Sequence, residues 1–255
     1  MEMNNYLYKI KIIGLSIFLI AFLSVNLCLV LSQIFPFKEF DVPSPGNYFY
    51  QYKIFNIGDA IGEKGSQWII PYFDGISSIS RVVRVFPNFL IFKPAMIIVG
   101  ILLIYFWFYL KKLFINFGIE KKITKRIFLL SRLSAFFLII HSVFLGIKFD
   151  YEIIKLLKRV ILLLFVILQI ATQYYFIKII NLNLGILKKI IRPKIFLIKK
   201  IIVYSIIIIA ISILPFLPFN NFKILKHLIE WNYFLCIILF YFFTYFLWKN
   251  NVKIN

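Results

Sequence analysis

The run IIGLSIFLIAFLSVNLCLVLSQI, residues 12–34, decides what kind of protein this is. At about 1.5 Å of rise per residue, one helix of this length crosses the roughly 30 Å hydrocarbon core of a bilayer. The run exceeds the roughly 7–15 apolar residues of a secretory leader, and no small-x-small cleavage site follows it. It therefore reads as a retained span, preceded by a short polar start with Lys9 and Lys11. Ser24, Asn26, Ser32 and Gln33 in its outer half are expected to face other helices, where their hydrogen bonds can be met inside lipid.

Working outward, five more apolar runs follow at about 95–110, 127–147, 156–180, 201–217 and 228–248. The expected fold is an all-α integral membrane protein: a six-transmembrane helix bundle, residues 1–255 forming one membrane domain. Composition agrees, with 62% hydrophobic residues, 31 Phe and a mean hydropathy of +0.91, against roughly 45–50% apolar usage in soluble domains. The formal charge of +20 comes from 30 Lys and Arg against 10 Asp and Glu. In a soluble chain that excess would point to nucleic acid. Here the bases flank apolar spans, so the expected partners are membrane lipids, with anionic headgroups at the basic loops, and nucleic acid is not expected. Cys28 and Cys236 fall inside spans and read as buried thiols.

Between the first two spans lies the one long polar excursion, residues 35–94. Its second half, QWIIPYFDGISSISRVVRVFPNFLIFKP (residues 67–94), carries Pro71, Asp74, Gly75, Arg81, Arg84, Pro87, Lys93 and Pro94. VPSPG (42–46), IGDAIGEKG (57–65) and FDG (73–75) stop helix propagation, and the Tyr, Phe and Trp around them suit a membrane–water boundary. This predicts a compact loop lying on the bilayer. GDAIGEKG is not a phosphate loop, since the Lys-Ser/Thr ending and the strand-to-helix setting are missing.

Lys and Arg near span ends set orientation. Lys111, Lys112, Lys121, Lys122, Lys125 and Arg126 form one basic stretch, and Lys188, Lys189, Arg192, Lys194, Lys199 and Lys200 another. Both face the cytoplasm if the N- and C-termini do, leaving the long loop extracytoplasmic. Arg81, Arg84, Lys155, Lys158 and Arg159 then remain on the outer side, so the partition is a bias. In the second basic stretch Leu184, Leu187, Ile190 and Ile191 recur at helical spacing, which predicts a segment lying flat in the headgroup layer before Pro193 restarts the chain.

Candidate chemistry gathers at the outer face. His227 and Glu230, three apart, share a helix face at the mouth of the last span. With Asp74 and His141 they are the candidates for an acid/base site, and Asp150 and Glu152 lie in the turn after His141. The alternative for Glu230 is a hydrogen bond to loop backbone or a pair with Lys223 or Lys226. Gln169, Thr172 and Gln173 lie on one face of the fourth span, as a polar cavity for a lipid headgroup or as interhelical hydrogen bonds. Arg132 is expected to snorkel to the headgroups. No cofactor and no metal site is expected.

HLIEWNYFLCIILFYFFTYFLW (residues 227–248) resembles the last helix of the DRAM/Frag/Sfk family of six-span membrane proteins, with Glu230, Trp231, Tyr241 and Thr244 at the matching positions. IPYFDG, followed by Pro87, Ile91 and Phe92, is similar to that family's loop signature, although the family's frequent paired cysteines are missing and SISRVVR adds residues. The family is related to the N-terminal domain of Cwh-type GPI-remodelling proteins. The resemblance implies a role in membrane lipid organisation or lipid-linked processes, without a defined reaction. A non-catalytic organiser is the favoured reading. A lipid- or GPI-anchor-remodelling enzyme with an outer-face acid/base site is the first alternative, and a small-solute transporter the second.

Overall fold

A computed structural model of the chain describes residues 2–34, 70–84, 87–145, 147, 151–213 and 222–249. The stretches VPSPG and IGDAIGEKG, Asp150, and the turn around Asn220 lie outside the described residues.

In hydrocarbon no water is available to the backbone, so each apolar run must satisfy its own N–H and C=O groups and becomes a helix despite its many β-branched residues. Six long helices result: α1 (Glu2–Ile34), α4 (Asn88–Asn116), α5 (Lys121–Phe144), α6 (Glu152–Leu182), α8 (Pro193–Ile213) and α9 (Lys223–Leu247). Three single turns complete the described chain: α2 (Pro71–Asp74), α3 (Ile79–Val82) and α7 (Leu184–Leu187). All six long helices are long and apolar enough to cross a membrane. The protein is a multi-pass membrane bundle.

The spans form a ring. α1 packs on α4, α4 on α5 and α5 on α6; α6 touches α8, α8 packs on α9, and α9 returns to α1. Aromatic side chains fill its centre: Phe106, Trp107, Phe114, Phe176, Phe240 and Tyr241 are all at most 2% exposed. They meet edge to face, with ring centroids 5.1 Å apart for Phe106–Tyr241 and 5.3 Å for both Phe106–Trp107 and Phe176–Phe240, the geometry that aromatic quadrupoles favour. Close helix approach needs small residues. At Gly100 of α4 an added Cβ would sit 2.5 Å from Ile139 Cγ1 of α5.

Every long helix begins ahead of its expected span, and two stretches show why. The outer excursion ends at Pro87, because α4 begins at Asn88 and carries Pro94 inside it. The reason is Asn88, whose buried amide lies 2.9 Å from the Cys28 carbonyl and 2.8 Å from that of Val82. These bonds tie the first turn of α4 to α1 and α3, and that anchoring outweighs the ladder bond that Pro94 cannot donate. The headgroup segment before Pro193 is also different. Leu187, Ile190 and Ile191 are buried against the bundle, and Ile191 bridges Trp248, with Arg192 N–H on the Leu247 carbonyl at 2.9 Å and Lys249 N–H on that of Ile190 at 2.8 Å. Strand-like pairing between the α7–α8 linker and the end of α9 holds it down. Lys199, counted with the basic stretch, lies inside α8 and is fully buried.

Candidate functional site

One end of the ring is capped by residues 70–84, folded back onto α9 and α1. FDG becomes the turn α2, ended by Gly75 in the left-handed conformation (φ 62°). An added Cβ at Gly75 would lie 2.3 Å from the Ile224 carbonyl, so only glycine lets this turn reach α9. Ser78 then caps α3, its hydroxyl accepting the Arg81 N–H at 3.3 Å.

α9 holds this cap with four consecutive polar contacts. His227 Nδ1 lies 3.1 Å from the Gly75 carbonyl; a carbonyl only accepts, so Nδ1 carries the proton. Glu230 Oε1 accepts the Ser80 N–H at 3.4 Å. Trp231, fully buried, donates its indole N–H to the Ser77 carbonyl at 2.7 Å. Asn232 donates to the Tyr72 carbonyl at 2.9 Å. Tyr72 stacks edge-on against Trp231 at 4.9 Å and donates its hydroxyl to Asn26 of α1 at 3.2 Å. Burial pushes the Tyr72 phenol above its ordinary value, and the Asn26 bond pulls it part of the way back.

The predicted site residues therefore divide. His227 and Glu230 come together under the cap, yet the bonds described for them go to different backbone groups, so Glu230 takes its loop-backbone alternative. Asp74 closes its own turn, accepting the Ile70 N–H at 2.7 Å and the Ile76 N–H at 2.9 Å. His141 sits near the end of α5 on the far side of α3, within electrostatic reach of Arg84 and Lys158. Gln169, Thr172 and Gln173 are at most 1% exposed inside the bundle. Ser134 of α5 donates to Gln169 at 2.9 Å, and Gln169 in turn donates to the Tyr241 hydroxyl, which also accepts the Trp107 indole N–H at 3.3 Å. Gln173 donates to the Ile237 carbonyl at 3.1 Å and Thr172 to that of Leu168 in its own helix at 2.6 Å. Aromatic rings close this core, and the patch hydrogen-bonds α5, α6 and α9 together. Among the described residues no group of three or more His, Cys, Asp or Glu is placed to hold a metal ion.

What the residue pattern does not single out is a cluster of cations at the same rim. Arg84 after α3, Lys158 of α6 and His141 of α5 interact electrostatically with one another, Lys93 of α4 reaches Lys158, and Arg81 reaches Arg84. Glu230 is the carboxylate these arginines face. Lys158 donates to the Ile147 carbonyl, which draws its ammonium toward the rim. Arg81, Arg84 and Lys158 are among the bases that break the charge partition, and that irregularity is the signal by which sequence could have found them. The like charges of Arg84, Lys93 and Lys158, drawn from three elements to one rim, are suited to an oxyanion.

No family model, curated protein or solved structure matches the chain.

Proposed function

We propose that this is a non-catalytic lipid-organising membrane protein of the DRAM/Frag/Sfk type, with both termini in the cytoplasm, whose outer rim holds the phosphate of an anionic lipid headgroup. The observation that carries this reading is the convergence of Arg84, Lys93 and Lys158 at one end of the bundle. Cations at the membrane surface attract anionic lipid by about 1 kcal/mol each, and an arginine can engage two phosphate oxygens at once. Asp74 and Glu230 both accept backbone N–H groups, a role that suits a clamp. The two stretches that carry the resemblance, around Pro71–Asp74 and around Glu230 and Trp231, lie against each other, with Asn232 donating to the Tyr72 carbonyl.

The test is native mass spectrometry of the purified full chain with phosphatidic acid and phosphatidylcholine of matched acyl chains. Arg84→Gln combined with Lys158→Met is expected to lower retention of the acidic lipid about tenfold or more, with phosphatidylcholine unchanged. Equal retention by the variant and the parent overturns the rim assignment. Orientation is tested separately, by an impermeant label on intact cells: reaction at Lys122 with protection of a cysteine placed at Phe73 overturns it.

A further inference from the structure

At the opposite end of the bundle, Lys11, Arg192, Tyr245, Phe246 and Trp248 line a cavity of about 180 Å³. Three elements build it. α1 brings Lys11, which is 9% exposed. The linker ahead of α8 brings Arg192, which is exposed and close enough to Lys11 for the two charges to repel. The end of α9 brings the aromatic wall, fixed in place by the bridge between Ile191 and Trp248.

Trp248 adds a second and independent observation. Its side chain is 0% exposed, and its indole N–H has no acceptor among the described residues. A buried donor left without an acceptor costs free energy, and tryptophan normally finds one when it is buried. Two cations lining the cavity and an unsatisfied N–H in its wall suit the same thing, an oxygen carrying negative charge. The cavity lies beside the end of α9, and its remaining walls, Tyr245 and Phe246, are aromatic rings of the kind that line membrane interfaces.

We infer that this cavity is a second anion site, in which Arg192 and Lys11 pair with phosphate oxygens of an anionic phospholipid and the Trp248 indole N–H donates to one of them. Basic pockets between spans hold acidic headgroups by this chemistry. A free phosphate offers the same oxygens but no acyl chains to lie along Tyr245 and Phe246. The lipid source is therefore the assignment made here. The site is independent of the outer rim, which lies at the other end of every span.

The experiment uses the full chain carrying Arg84→Gln and Lys158→Met, so that the outer rim does not contribute and each proposal can fail alone. Phosphatidic acid, phosphatidylcholine and inorganic phosphate are titrated, with bound lipid counted by native mass spectrometry. Phosphatidic acid is expected to bind in preference to phosphatidylcholine, and Lys11→Met with Arg192→Gln to weaken it about tenfold or more. Trp248→Phe keeps a ring in the wall and removes only the donor. It is expected to weaken phosphatidic acid several-fold at an unchanged melting temperature, which keeps the test decisive even where the double variant fails to fold. Unchanged binding in the Trp248→Phe chain overturns the proposal. So does competition by inorganic phosphate at concentrations equal to the lipid, which would reassign the site to a soluble anion.

Discussion

Lys199→Met is expected to leave the bundle as stable as the parent or more stable, although it deletes a fully buried cation. The Lys199 ammonium has three partners among the described residues: the Thr244 hydroxyl, the Phe240 ring at 3.6 Å and the Phe176 ring at 4.5 Å. A desolvated cation–π contact contributes about 2 kcal/mol, and a hydrogen bond from a charged donor about 1.5–3 kcal/mol. Together the partners supply roughly 5–7 kcal/mol. Against this stands the effective penalty of burying an ammonium, itself several kcal/mol after relaxation. The two sums nearly cancel, and replacing a buried charge by an apolar side chain of similar length is commonly neutral or stabilising by about 1–4 kcal/mol. Methionine fills the same space and sets a sulfur against both rings, worth about 0.3–1.5 kcal/mol per contact. Removing the hydroxyl instead leaves the charge to the two rings alone, so Thr244→Val is expected to cost about 1.5–3 kcal/mol. In the Lys199→Met background the same change should cost under about 1 kcal/mol. The assay is a double-mutant cycle of unfolding free energies in mixed detergent micelles. A coupling between positions 199 and 244 below about 0.5 kcal/mol, within additivity, would refute the reasoning. So would a Lys199→Met protein destabilised as strongly as Thr244→Val.

Three further outcomes follow from the cap and the core. Gly75→Ala combines a left-handed φ of 62° with a Cβ 2.3 Å from the Ile224 carbonyl; it is expected to cost at least about 2 kcal/mol and to release residues 70–84, seen as new protease cleavage there with the spans intact. Gln169→Leu removes the bonds that Gln169 makes with Ser134 and the Tyr241 hydroxyl, for a loss of about 0.6–1.7 kcal/mol typical of an interhelical bond in lipid, measured by the same micelle titration. Tyr72 has its folded pKa raised by burial, so its contribution is complete below its unfolded value of about 10 and is lost as pH rises through the folded value. Protease sensitivity of the cap should therefore increase in alkaline buffer, and Tyr72→Phe should remove that step.

Sequence by itself determined the solvent and, through it, the architecture. Six apolar runs of bilayer length leave the backbone no choice but helix, and a helix obeys that rule one segment at a time, without reference to its neighbours. Sequence also placed His227, Glu230 and Asp74 at one end of the bundle, because side assignment needs only the parity of the crossings. Tertiary structure alone decided what those groups touch. Glu230 meets the Ser80 N–H, because residues 70–84 fold back over α9 through a turn that only Gly75 permits. Tertiary structure alone also separated Lys199 from Lys200: the two are adjacent in a basic stretch, and the rotation of one residue along α8 sends the first between Phe176 and Phe240. Periodicity cannot reveal this in lipid, where the outside of a helix is as apolar as the inside, so the buried face of a span is not marked by its hydrophobic residues. It is marked by the polar groups that find partners, and those partners are known only once the helices are side by side.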